Sequence, residues 1–206
     1  MDDDDGALSP EETLQLIERQ QAVAARRLTP DPLLMYAPWG LAWMLGFGAF
    51  FLTYGLDGEP ILPISWKLAL AVLVASQLGA GAFTAYVIWR QNIQVRGEST
   101  QRGMMYGYAW FVAMVSMFMV AARFRPMLDV DEIGLFYSSF SLLVVAILYM
   151  AGGAIWRTWS MFFIGVWTAI VNTVGVALGP GWHSLLIAVL VGGGFFATGV
   201  WLRRQA

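Results

Sequence analysis

Trp39-Gly40-Leu41-Ala42-Trp43 decides how this chain is read, because a close copy returns as Tyr106-Gly107-Tyr108-Ala109-Trp110. Each copy opens a long apolar segment. Ile88-Trp89-Arg90 follows the first and Ile155-Trp156-Arg157 the second, and 46 residues separate Trp43 from Trp89 and Trp110 from Trp156. At an offset of 67, Gly40, Ala42, Trp43, Phe51, Leu68, Ile88, Trp89 and Arg90 recur identically. The pattern reads as a duplicated pair of membrane helices in the same orientation. Inverted repeats, common in secondary transporters, are not indicated. A weaker third copy runs from Trp159 to Trp201, followed by Arg203.

Composition agrees. Of 206 residues, 58% are hydrophobic and 13% charged, against about a quarter charged in a soluble domain. That much apolar surface calls for lipid as solvent. A net charge of −2 argues against nucleic acid as a partner. With no Cys, a disulfide framework, a thiolate metal site and a cysteine nucleophile are excluded. Eleven of the twelve basic residues are Arg, which suggests a GC-rich bacterial genome and hence a bacterial plasma membrane. The acidic start Met1–Asp5 lacks the basic end of a secretory signal, so the first apolar segment is expected to be an uncleaved span.

Residues 1–32 form an acidic tail and a short amphipathic helix. Ser9-Pro10-Glu11-Glu12 is its start, with Ser as N-cap, Pro at the first helical position and Glu12 three after the cap. Thr29-Pro30-Asp31-Pro32 ends it. Residues 33–206 are the membrane domain, with spans at about 33–56, 66–89, 103–122, 134–156, 159–178 and 183–202, each near the roughly 20 residues a bilayer requires. Backbone groups in hydrocarbon must pair internally, so the fold class is all-α, six transmembrane helices in three tandem hairpins. With the N-terminus inside, nine Arg (19, 26, 27, 90, 96, 102, 157, 203, 204) face three basic residues outside (Lys67, Arg123, Arg125), which places both termini in the cytoplasm. The Trp residues, Trp39 and Trp43 among them, read mostly as an aromatic belt at the headgroups.

Candidate sites are few. No ionisable residue falls in the middle of a span, unlike most proton-coupled carriers. His183, the single His, reads as an interfacial residue capping an outer turn; alone it cannot build a haem or metal site. Walker and dinucleotide motifs are missing, so neither catalytic residue nor cofactor nor metal site is assigned. The polar residues within the bilayer are Gln77, with Thr84, and Asn172, with Thr168 and Thr173. They read either as interhelical glue or as the lining of a central pocket for a mostly apolar ligand. Ala71, Ala75 and Gly79 recur every four residues, as helix-packing faces do, and Gly192-Gly193-Gly194 marks a weak or unwound point.

Two functions fit. One is a membrane component of a small-molecule transport system, with an apolar or aromatic-compatible ligand and a separate ATPase as partner. The layout, six spans in this length, is similar to the substrate-binding subunits of energy-coupling-factor importers; the likeness is of outline and rests on no residue motif. The alternative is a non-transporting accessory or structural subunit of a larger membrane complex.

Overall fold

A computed structural model describes residues 9–28, 31–92 and 98–205. Helix α1 spans Pro10–Leu28, α2 Pro32–Tyr54, α3 Trp66–Asn92, α4 Glu98–Phe124, α5 Val130–Trp156 and α6 Trp159–Leu178. The last span has three parts: α7 (Pro180–Leu186), a π-helical segment (Ile187–Gly192) and α8 (Gly193–Gln205). Among the described residues, six helices are long and apolar enough to cross a membrane. The chain is thus a multi-pass membrane protein.

Helix α1 starts as its sequence dictates. The Ser9 amide donates to Glu12 Oε2 at 2.8 Å and the Glu12 amide to Ser9 Oγ at 3.2 Å, a reciprocal capping box. The bond from the Ser9 backbone, with that to its side chain, holds the Glu12 carboxyl below its ordinary value. A lowered folded pKa stabilises above the unfolded pKa and is lost as pH falls through the folded one. Hydrogen-exchange protection of the Thr13 amide, bonded to Ser9 O at 2.9 Å, is therefore expected to fall several-fold on acidification and on Ser9→Ala at neutral pH. The far side chains of α1, on which its amphipathic face depends, lie outside the described residues.

Asp31 starts α2 by accepting from the Leu33 amide at 2.9 Å. Its other carboxylate oxygen meets Arg203 Nε at 3.4 Å, so the start of α2 and the end of α8 share one end of the bundle. Gly55, at φ +59°, closes α2 in the left-handed region, and the amides of Ile61 and Leu62 fold back onto Leu52 O at 3.0 and 3.1 Å.

The two helices of each hairpin read from the sequence touch, but extensive packing also runs between hairpins. Helix α2 lies along α3 on one side and α8 on the other, and α5 packs on α6 far more extensively than on α4. The core is where α2, α5, α6 and the last span meet. Phe195 is its centre, stacked on Trp43 at 5.4 Å between centroids and edge-on to Tyr149 at 5.2 Å. Trp43 is 5% exposed, so it is a core residue and not part of an interfacial belt. Small residues permit these approaches. A Cβ on Gly40 would lie 2.7 Å from Gly192 O and 2.8 Å from Phe196 N. Helices α3 and α4 stand outside, with most of their side chains exposed. Ala71, Ala75 and Gly79 face outward from α3, and a Cβ on Gly79 would meet nothing within 4 Å, so this small-residue face packs on no other helix among the described residues.

Candidate functional site

The last two spans are joined by a tight turn. Gly179, at φ +95°, terminates α6, and Pro180 starts α7 with a preset φ and no amide to satisfy. The turn folds His183 back against α6. A Cβ on Gly175 would sit 2.9 Å from His183 Cα, so glycine at that position lets the helices touch.

His183 is 1% exposed, which corrects the reading of it as an interfacial cap. Its Nε2 lies 2.9 Å from Asn172 Oδ1, and Asn172 Nδ2 donates to Ser139 O at 2.9 Å. The amide orientation makes Oδ1 the acceptor, so His183 Nε2 carries the proton. One chain of bonds thus ties α5, α6 and α7 through a buried amide and a buried imidazole. Phe47 of α2 closes the fourth side, edge-on to the imidazole at 5.9 Å between centroids. Ser184 Oγ donates to Pro180 O at 2.8 Å, so it points along its own helix and not to His183.

The five sequence-predicted residues do not converge. Asn172 and Thr168 are buried in α6. Thr84 of α3 accepts from Trp39 Nε1 at 2.9 Å, pinning α3 to α2. Thr173 is exposed and returns its hydroxyl to Ala169 O at 2.9 Å. Gln77 is half-buried on the α3 face that carries Leu73 and Ala80, and no described residue hydrogen-bonds its amide. It belongs to a different part of the bundle from Asn172.

Two buried polar atoms have no hydrogen-bond partner among the described residues, Trp43 Nε1 and Thr168 Oγ1. Both helices that carry them, α2 and α6, pack against the π-helical segment. This segment ends on Gly192, the first of the triple glycine, and α8 begins at Gly193, so the chain stays helical where the sequence suggested unwinding. Its Leu190 carbonyl accepts from Trp167 Nε1 at 2.9 Å. π-helical turns are rare and recur at functional sites.

An open apolar groove of about 550 Å³ lies between α6 and α8, bordered by Trp159, Phe163 and Trp167 on one side and by Gly194, Ala197 and Trp201 on the other. Among the described residues, no group of three His, Asp or Glu is placed to hold a metal ion.

The fold and these polar contacts define a six-span helical membrane protein with a hydrogen-bonded interior. Comparison with protein-family models, curated proteins and solved structures gave no match.

Proposed function

We propose that this chain is a non-catalytic membrane subunit that works within a larger complex of a bacterial plasma membrane, with its termini in the cytoplasm. One observation carries the reading: three of the five polar residues that the sequence offers as ligand contacts are engaged in bonds between or within helices. Asn172 joins Ser139 to His183, Thr84 joins Trp39, and Thr173 bonds its own helix. Such bonds fix helix positions in a medium that offers no water to compete. The sparse coverage of α3 and α4 supports the same reading.

Purification from the native membrane in mild detergent, followed by mass spectrometry of what accompanies the chain, tests it. A membrane partner in fixed stoichiometry is the expected result. A chain that arrives alone, and whose melting temperature rises with a small apolar solute, overturns it.

The second reading, a component of a small-molecule transport system, is favoured by the unpartnered Trp43 Nε1 and Thr168 Oγ1 in helices that pack on the π-helical segment. A donor and a hydroxyl in an apolar interior could orient a largely apolar solute. A co-purifying ATPase selects this reading over the first, and Thr168→Val should then weaken solute binding about tenfold while the fold is kept.

A further inference from the structure

We propose that the groove between α6 and α8 is a binding site for one anionic phospholipid, with an acyl chain in the groove and the headgroup on the arginines at its end. The site is independent of either functional reading.

The groove has the dimensions of a lipid tail and not of a helix. Its α6 wall runs from Trp159 to Trp167, eight residues or about 12 Å along the axis. Half of a hydrocarbon core is about 15 Å. The cleft therefore covers most of one leaflet and stops, as an acyl chain does, whereas a membrane helix would have to continue through both. Its volume of about 550 Å³ falls within the range of small-molecule sites, roughly 300–1,000 Å³. The walls are aromatic and aliphatic, with the Ser160 and Thr198 hydroxyls as polar groups, and Thr198 Oγ1 already donates to Gly194 O at 2.8 Å.

Charge selects the headgroup. Trp159 and Trp201 mark the mouth, at the antiparallel ends of α6 and α8. Arg157 stands two residues before Trp159, and Arg203 and Arg204 follow Trp201 directly after Leu202. All three arginines are exposed. Arg203 is engaged by Asp31, which leaves Arg157 and Arg204 as cations at the mouth. Arg157 holds a left-handed conformation, φ 53° and ψ 41°, uncommon for a residue with a Cβ. Basic clusters where transmembrane helices meet the headgroup layer are matched to anionic lipids.

The test uses the full chain, purified in mild detergent, delipidated, and titrated with dioleoyl phosphatidylglycerol or dioleoyl phosphatidylcholine under native mass spectrometry. One phosphatidylglycerol is expected to bind at least tenfold more tightly than phosphatidylcholine. Ala197→Phe, an exposed wall residue, should abolish that one binding event by filling the groove. Arg157→Asn combined with Arg204→Gln should keep the binding event and lose the preference, with Asn chosen because it tolerates the left-handed backbone. Circular dichroism and gel filtration confirm that each variant is folded. Equal binding of the two lipids to the parent, or a phosphatidylglycerol retained by folded Ala197→Phe, overturns the proposal. So does a dimer, cross-linked through position 197, that excludes lipid.

Discussion

Replacing Asn172 by Leu is expected to destabilise the membrane domain by about 2–3 kcal/mol. Asn172 donates to Ser139 O and faces His183 Nε2, both at 2.9 Å, so a single substitution removes two interhelical bonds. Interhelical hydrogen bonds in membranes are modest, averaging about 0.6 kcal/mol and reaching about 1.7. The larger cost is the imidazole left behind. His183 is 1% exposed, and a buried polar group stripped of its partner costs about 1–3 kcal/mol. Asn172→Leu combined with His183→Leu removes both partners. The double replacement is expected to recover part of the loss, with a coupling of about 1 kcal/mol or more between the two single variants. Thr173→Val, one position along, should change stability by less than about 0.5 kcal/mol, because its hydroxyl is exposed and bonds its own helix. Reversible unfolding in mixed micelles measures the parent, each single variant and the double. An Asn172→Leu protein as stable as the parent would remove the structural role assigned to this residue.

Gly40→Ala is expected to separate α2 from the last span, at a cost of about 2 kcal/mol. The added methyl would lie 2.7 Å from Gly192 O and 2.8 Å from Phe196 N, both backbone atoms that cannot rotate away. Gly48→Ala on the same helix is the control, since a Cβ there meets nothing within 4 Å. Alanine favours a helix over glycine by up to about 1 kcal/mol, so Gly48→Ala should be neutral or slightly stabilising. The sign difference between two identical substitutions eight residues apart isolates the contact from the propensity. Melting temperature in one detergent is a sufficient readout, and equal effects at the two positions would contradict the close crossing of α2 on the π-helical segment.

The transmembrane architecture was legible because it is written in composition. Continuous apolar runs of bilayer length leave the backbone no alternative to helix, and Ser9, Pro10 and Glu12 announce a capping box that forms as read. Residue type alone could not say which face of a helix turns inward. Along spans that are apolar all round, periodicity carries little signal. Trp43 therefore read as an interfacial residue and is buried, while the small-residue face Ala71, Ala75, Gly79 read as a packing face and is exposed.

The candidate site divides the same way. Sequence singled out Asn172 as a polar residue in hydrocarbon that needs a partner, and that need is physical and local. It did not supply the partner. His183 lies eleven residues on, across Gly179-Pro180, and only the turn at that point brings its ring to the amide. Gln77 and Asn172 looked alike in the sequence, yet one meets no described partner and the other hydrogen-bonds across three helices. The sequence by itself determined that this chain lives in lipid as six helices, because bilayer thickness and backbone hydrogen bonding act on each segment separately. Tertiary structure alone decided which polar groups meet, because that depends on helix rotation and on close approaches at Gly40, Gly175 and Gly192, contacts between segments that no single segment encodes.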